Sequence, residues 1–252
     1  MTGQLPIYAV SYPGSGLTWL HMMIGKALDL HFAMGWGESK KLVEARYWRY
    51  VDVPEIYFSH PGRPYLTTTE NYGQHIGAKF RKAHVVFSAR DPRDQVVSMF
   101  FKFSRRWEII GVKRWEGTLS EFMRHPAHGI EGIVAYYNLW ARCRDEPVSF
   151  SLIRYEDMRQ RPADSLRLVL GLMGVEPSQE MIDEAVKFAS FDNMWKLESA
   201  NFNKWFREVQ KGNPESRRVR RGKVGGYVDY MTPDDIAFAD NAMEDLDTYY
   251  GY

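Results

Sequence analysis

The chain has little of what would crosslink it or place it in a membrane. Its 252 residues include a single cysteine, Cys143, which excludes an intrachain disulfide and a multi-cysteine zinc site. No stretch approaches the roughly 18 uninterrupted apolar residues of a membrane span, and the segment from Met1 to Pro6 has no basic and apolar regions like those of a signal peptide. These absences predict a cytoplasmic protein that does not associate with membranes.

The chain also lacks an excess of charge of either sign. Lys and Arg number 33 and Asp and Glu number 32, which gives a net charge of +1. An anionic partner must therefore be bound by a local basic cluster, and bulk nucleic-acid binding is not expected. One such cluster stands out in a segment without helical or strand periodicity, and it comprises Arg217, Arg218, Arg220, Arg221 and Lys223.

What is present indicates a globular α/β fold in one domain covering residues 1–252. Hydrophobic residues make up 44% of the chain and charged residues 26%, close to globular averages. Short apolar runs at 5–11, 56–59, 84–89 and 148–153 alternate with helical patterns. Apolar rather than alternating strands predict a parallel sheet with helices on both faces. Near the C-terminus, Thr232 and Pro233 begin a predicted helix whose apolar stripe continues to Tyr250.

The first strand leads into a glycine turn that is suited to bind phosphate. Gly14 and Gly16 allow backbone N–H groups to converge, the following helix adds its positive N-terminus, and Ser15 and Thr18 add hydroxyls. The spacing and lysine of a Walker A loop are absent, which argues against nucleoside triphosphate hydrolysis. Two alternatives remain open from the residues alone: the turn could serve only chain reversal, and Trp19 could be a core residue rather than a purine-stacking one.

A second anion site is predicted where the third strand ends. Arg90 offers a planar set of donors at the crevice side of the sheet, and Ser98 could supply a hydroxyl to the same group. Two separate sites favour a nucleotide that carries phosphates at two positions. The alternative is that Arg90 pairs with Asp91 or Asp94 in a surface ion network.

Five ordered segments resemble the signature segments of the cytosolic-type sulfotransferases. They are residues 11–19, 90–98, 155–158, 190–194 and 220–227, and the resemblance extends from about Leu5 to the final helix. It implies a P-loop-like fold and a reaction that uses 3′-phosphoadenylyl sulfate (PAPS) as sulfonate donor and releases the bisphosphate PAP. No metal is implied.

The resemblance also implies residue roles. The 5′-phosphosulfate would be bound by Gly14, Ser15, Gly16, Leu17 and Thr18. Trp19 would stack on adenine, in a pocket completed by Tyr155, Ser190, Phe191 and Met194. The 3′-phosphate would be bound by Arg90, Ser98, Arg220, Arg221 and Gly222.

Sulfuryl transfer needs a base to accept the proton of the attacking group, and histidine suits this task near neutral pH. His60 follows the second strand, at the crevice side of the sheet, in a segment that resembles the histidine-containing strand end of the family. We therefore predict His60 as the base, with His75 and His84 as rivals.

The sequence departs from the family at Gly14, where the family generally has a lysine that contacts the bridging oxygen. Lys102 or Arg105 could supply the missing cation; otherwise backbone donors and a protonated His60 would serve alone. The expected partner is a small apolar or aromatic alcohol, phenol or amine, bound by segments 34–65 and 100–137. A glycan acceptor, a catalytically silent PAPS-binding protein and a homodimer are also compatible with the sequence.

Overall fold

Within the described residues, the sheet consists of four parallel strands. In the computed structural model β1 (Ile7–Ser11), β2 (Ile56–Ser59), β3 (His84–Ala89) and β4 (Ser149–Arg154) lie in the order β2-β1-β3-β4. Every neighbouring pair is parallel, so each connection must cross from one end of the sheet to the other. The structure describes residues 4–37, 48, 51–67, 77–202, 206–207 and 210–252.

Helices form most of the connections and the C-terminal region. They are α1 (Leu17–His31), α2 (Pro92–Arg105), α3 (Trp107–Ile110), α4 (Leu119–Met123), α5 (Ile130–Arg142), α6 (Tyr155–Gln160), α7 (Pro162–Leu172), α8 (Gln179–Phe188), α9 (Phe191–Ser199) and α10 (Pro233–Met243). In the described part of the chain, none of these helices is both long and apolar enough to cross a bilayer.

Helices cover both faces of the sheet, as the apolar strands predict. Ile7 and Ala9 face a core that includes buried residues of α1, α7, α8 and α9. Val10 and Phe87 face a second core that includes buried residues of α2, α5 and α10. Successive strand residues thus point to opposite apolar layers, which explains why the two central strands, β1 and β3, are mostly buried and apolar.

All four strands direct their carboxyl ends to the same edge of the sheet. The glycine turn follows β1, His60 follows β2, Arg90 follows β3 and Tyr155 follows β4. The parallel register therefore gathers residues that are far apart in the sequence. This edge is where ligands bind in open parallel sheets.

Three predicted boundaries differ from the structure. The fourth strand is shifted by one residue, from the predicted 148–153 to Ser149–Arg154. The first strand begins at Ile7 rather than Leu5. The last helix ends at Met243, whereas the apolar stripe predicted a helix continuing to Tyr250. Asp247 instead caps a short 3-10 turn, and the Tyr250 hydroxyl donates to the carbonyl of Tyr137 at 2.6 Å. Tyr250 is thus buried by a turn rather than by a continuous helix.

Candidate active site

The glycine turn between β1 and α1 has a backbone that only glycine adopts easily. Gly14 and Gly16 have φ values of +97° and +87°, and Gly16 is the N-cap of α1. A Cβ atom at Gly16 would lie 2.7 Å from the ring of Tyr155. Ser88 donates to the Ser15 carbonyl at 3.0 Å and so ties the turn to β3. The turn is therefore held in place while the N-terminus of α1 remains available to a ligand.

One cavity at the carboxyl edge of the sheet brings together almost all the predicted site residues. Those that line it are Gly14, Gly16, Leu17, Thr18, Trp19, His60, Arg90, Ser98, Tyr155, Phe191, Met194, Arg220, Arg221 and Gly222. The two predicted residues that do not line it are Ser15 and Ser190. Ser15 is buried, with no hydrogen-bond partner for its hydroxyl among the described residues. Ser190 caps α9 by accepting from the backbone N–H of Asn193.

Arg90 lies at the centre of the second predicted anion site. Its guanidinium contacts Asp94 at 3.3 Å and donates to the carbonyl of Lys223 at 3.0 Å. Asp94 in turn accepts from the backbone N–H groups of Gly225 and Tyr227, both at 2.9 Å. The alternative pairing with Asp94 is therefore present, but it joins Arg90 to the C-terminal loop inside the cavity rather than to a surface network.

The other two predicted phosphate-binding arginines also have carboxylate neighbours. Arg220 donates to Glu215 at 3.2 Å and to the hydroxyl of Tyr230. Arg221 donates to Asp229 at 2.9 Å. These ion pairs are partly exposed, so each contributes modestly to stability and leaves further N–H groups available to an anion.

Aromatic rings form one wall of the cavity between the two anion sites. Trp19 and Tyr155 pack edge to face, with ring centroids 6.1 Å apart, and the Arg90 guanidinium lies 4.4 Å from the Tyr155 centroid. Phe191 is close enough to Gly222 that a Cβ atom there would approach it to 3.0 Å. Flat surfaces of this kind suit the face of a purine.

His60 lines the cavity from the end of β2. Its Nδ1–H donates to the backbone carbonyl of Ser11 at 2.8 Å, which leaves the lone pair on Nε2. Burial, together with the nearby positive charges of Lys102 and Arg218, lowers the pKa of His60 to about 4. His60 is therefore neutral at neutral pH, the protonation state that a base requires.

The rival histidines differ in placement. His84 begins β3 at the opposite end of the sheet, where its Nδ1 lies 2.7 Å from the Ser149 hydroxyl. His75 lies outside the described residues. Elsewhere in the described ranges, no group of three or more His, Cys, Asp or Glu side chains is arranged to hold a metal ion.

Lys102 lies one helical turn beyond Ser98 on α2 and also lines the cavity. Burial and the charges of Arg218 and Arg106 lower its pKa to about 7. Among the described residues, no acceptor pairs with its ammonium group. Arg105, the other candidate replacement for the family lysine, does not line the cavity.

Sequence reasoning missed several cavity residues in the C-terminal basic segment and on α2. Asp94 orders the C-terminal loop, and the Arg218 side chain donates to the Thr18 hydroxyl at 2.9 Å. Arg106 forms a buried ion pair with Glu198 at 2.8 Å. The pairing of Arg90 with Asp94 is one of the alternatives that the sequence offers, whereas the contact of Asp94 with the backbone of the C-terminal loop has no signal in the sequence. Nothing in the sequence distinguishes Arg218 from its basic neighbours.

Comparison with known proteins decides the family. Residues 6–249 match the model of the sulfotransferase domain. The chain belongs to the sulfotransferase family. The amine sulfotransferase of Oryctolagus cuniculus is 25% identical over 243 residues, covering 90% of this chain and 75% of the relative. Cytosolic sulfotransferase 17 of Arabidopsis thaliana is 25% identical over 257 residues, covering 94% and 73%. The resemblance read from the five sequence segments is confirmed.

Solved structures share the sulfotransferase fold. Mouse sulfotransferase SULT7A1 complexed with PAP superimposes with a TM-score of 0.62 at 18% identity, covering 95% of this chain and 84% of the other. Retinol dehydratase in complex with androsterone and PAP gives a TM-score of 0.67 at 15% identity, covering 95% and 80%. At these identities the likeness establishes the α/β fold.

Proposed function

We propose that this sulfotransferase transfers a sulfonate group from PAPS to a hydroxyl or amine of a small molecule. The observation that carries the proposal is one cavity lined by the glycine turn, by the arginines of a second anion site and by a neutral histidine. Membership of the sulfotransferase family supports the reaction. PAP is named in both structural neighbours described above.

PAPS, when bound, supplies the sulfonate group and a phosphate leaving group at its 5′ end. The N–H groups of the turn from Gly14 to Thr18, the positive end of α1 and the Thr18 hydroxyl would bind this end. The buried Ser15 hydroxyl, which has no partner among the described residues, fits such a cradle. These donors are fixed before the ligand arrives, so they stabilise developing charge with little reorganisation.

The second anion site would bind the 3′-phosphate. Arg90, Arg220 and Arg221 would donate to it, assisted by the Ser98 hydroxyl and the backbone at Gly222. Trp19 and Phe191 would contact the adenine, with Tyr155 and Met194 completing its pocket and Ser190 fixing the start of α9. The aromatic wall between the two anion sites matches an adenosine with phosphates at both ends.

His60 is the proposed base. Its hydrogen bond to Ser11 fixes the ring and leaves Nε2 to accept the proton of the attacking hydroxyl or amine. The negative charge of PAPS bound beside it would raise the pKa of His60 toward neutrality, where a base is most effective. The ring must then release this proton to solvent before the next turnover.

Lys102 is the proposed substitute for the family lysine that is absent at Gly14. It approaches the cavity from α2, while its neighbour one turn earlier, Ser98, has its hydroxyl 3.3 Å from the position of a Cβ at Gly14. An ammonium group without a paired carboxylate is attracted to the anionic end of PAPS. Charge neutralisation at the bridging oxygen would thus come from α2 instead of from the turn.

Incubation with PAPS and a panel of small phenols, alcohols and amines, followed by mass spectrometry, tests the reaction. We expect one added sulfonate group on at least one acceptor and formation of PAP. Sulfonation of glycans alone would favour the alternative in which the acceptor is a glycan. Tight PAP binding without turnover on any acceptor would favour a catalytically silent binding protein.

A further inference from the structure

Arg218 lies where a ligand at the N-terminus of α1 would meet it. Its Nη1 donates to the Thr18 hydroxyl at 2.9 Å, and Thr18 is the second residue of the helix. Arg218 also lines the cavity, and its charge acts on both His60 and Lys102. The guanidinium is therefore on the side of the cavity that holds the glycine turn and the base.

The chain fixes the backbone of Arg218 from α9. The buried carboxylate of Glu198 accepts from the backbone N–H groups of Arg218 at 2.7 Å and Val219 at 3.0 Å. The same carboxylate binds Arg106 at 2.8 Å. The Phe206 ring lies 5.6 Å from the Arg218 guanidinium. The position of Arg218 is thus set by contacts that do not involve a ligand, which is the preorganisation that a binding site requires.

The surroundings of Arg218 are electrostatically unfavourable for a cation. The N-terminus of α1 carries a partial positive charge, and Lys102 and Arg106 add two positive side chains nearby. Burial and the charge of Arg106 lower the pKa of Arg218 to about 10, and the carboxylate of Glu198 opposes this shift only in part. An anion bound between the glycine turn, Lys102 and Arg218 would relieve this repulsion.

Neighbouring arginines of the same segment have different contacts. Arg220 contacts Glu215 and the Phe101 ring, and Arg221 contacts Asp229. Among the described residues, Arg218 donates to the Thr18 hydroxyl, whereas Arg220 and Arg221 donate to other groups. Within the basic segment, Arg218 is therefore directed to the glycine turn, whereas Arg220 and Arg221 contact side chains of α2 and of the C-terminal region.

We infer that Arg218 binds the 5′-phosphosulfate of PAPS together with Thr18 and Lys102, and thus stabilises charge on the leaving phosphate. The inference rests on the proposed use of PAPS and adds a residue to its 5′ subsite. In the transfer, the bond between the sulfur and the bridging oxygen breaks and a bond from the acceptor to the sulfur forms. The acceptor proton passes to His60, and the electron pair of the broken bond remains on the phosphate beside Arg218.

The test uses calorimetry to compare ligands with and without a 5′-phosphate on the unsubstituted full chain and on three variants. PAP carries phosphates at both the 3′ and 5′ positions, whereas adenosine 3′-phosphate lacks the 5′ group. We expect Arg218→Met to weaken PAP binding about 10- to 100-fold, since a charged hydrogen bond is lost. Binding of adenosine 3′-phosphate should change by less than about 3-fold, because it makes no contact at the 5′ subsite.

Arg105→Gln is the matched control, because it removes a nearby guanidinium that does not line the cavity. It should leave both affinities unchanged. Arg218→Lys, which keeps the charge, should retain part of the PAP affinity and serves as the deciding variant if Arg218→Met does not fold.

Three results would overturn the inference. Equal weakening of both ligands in the Arg218 variants would make Arg218 a structural residue. Unchanged PAP affinity in both Arg218 variants would show that Arg218 does not contact the 5′-phosphate. If the unsubstituted protein binds PAP no better than AMP, the proposed use of PAPS fails first, and the two failures are thereby told apart.

Discussion

The Nδ1 atom of His60 lies 2.8 Å from the backbone carbonyl oxygen of Ser11, the last residue of β1. Because a carbonyl can only accept, this contact fixes the tautomer with its proton on Nδ1. It also couples the candidate base to the strand that leads directly into the glycine turn. Base and turn are therefore positioned by the same backbone.

Substitution of His60 by Gln should remove the base while leaving nucleotide binding intact. We expect kcat to fall about 10²- to 10⁴-fold, the usual contribution of general base catalysis, with PAP affinity nearly unchanged. Steady-state kinetics with PAPS and an acceptor that the enzyme sulfonates measure kcat, and calorimetry with PAP measures the affinity. His84→Gln is the control, because His84 is the first residue of β3 and so lies at the end of the sheet away from the cavity. A His60→Gln variant with full turnover would assign the base elsewhere.

Substitution of Lys102 by Met should impair turnover more than it impairs folding. Loss of one fixed cation at the leaving group should lower kcat by about 10²-fold. The melting temperature, measured by differential scanning calorimetry, should not fall, because the substitution removes a half-buried positive charge that is repelled by Arg218 and Arg106. Arg105→Gln should behave like the unsubstituted enzyme. If both variants turn over normally, neither residue replaces the family lysine.

The lowered pKa of Lys102 predicts a pH dependence of PAP affinity. Its pKa is about 7, and a phosphate bound beside it would favour the charged form and raise this value. Affinity should therefore fall as pH rises above about 7, with proton uptake on binding in that range. Calorimetry in buffers of different ionisation enthalpy measures the uptake. Lys102→Arg stays charged and should lose both effects; their persistence would assign the proton to another group.

Gly16→Ala should destabilise the protein more than a glycine substitution in open space. Both Gly16 and Gly174 have left-handed backbone, with φ of +87° and +69°. Alanine at Gly174 meets no atom within 4 Å, so it should cost only the backbone strain of about 1–2 kcal/mol. Alanine at Gly16 should cost more, because its Cβ collides with the Tyr155 ring. Free energies of unfolding are measured with denaturant. Equal values for Gly16→Ala and Gly174→Ala would contradict the close contact between Gly16 and the Tyr155 ring.

The sequence predicted those parts of the fold and site that depend on local patterns. The bounds of β2 and β3 follow from apolar runs ended by His60 and Arg90, and parallel strands bring such ends to one edge. The last helix was predicted too long because the 3-10 turn at Tyr250 continues the apolar stripe of α10. The spacing of apolar residues predicts which residues are buried, but it does not predict where the helix ends.

Contacts between distant segments could not be predicted from local patterns. Arg218 reaches Thr18 only because Glu198 fixes the backbone of the basic segment against α9. The role of Asp94 as acceptor for the backbone of Gly225 is equally invisible in the sequence. Such residues became recognisable when the tertiary structure placed them at the cavity.

Calorimetric titration of the unsubstituted protein with PAP and with AMP tests the central claim most directly. AMP presents the adenine and the 5′-phosphate, whereas PAP adds the 3′-phosphate for Arg90, Arg220 and Arg221. The two-site cavity predicts that PAP binds at least about 10-fold more tightly, the effect of one or two charged hydrogen bonds. Equal affinities for PAP and AMP would contradict a PAPS-binding site and the reaction proposed for it.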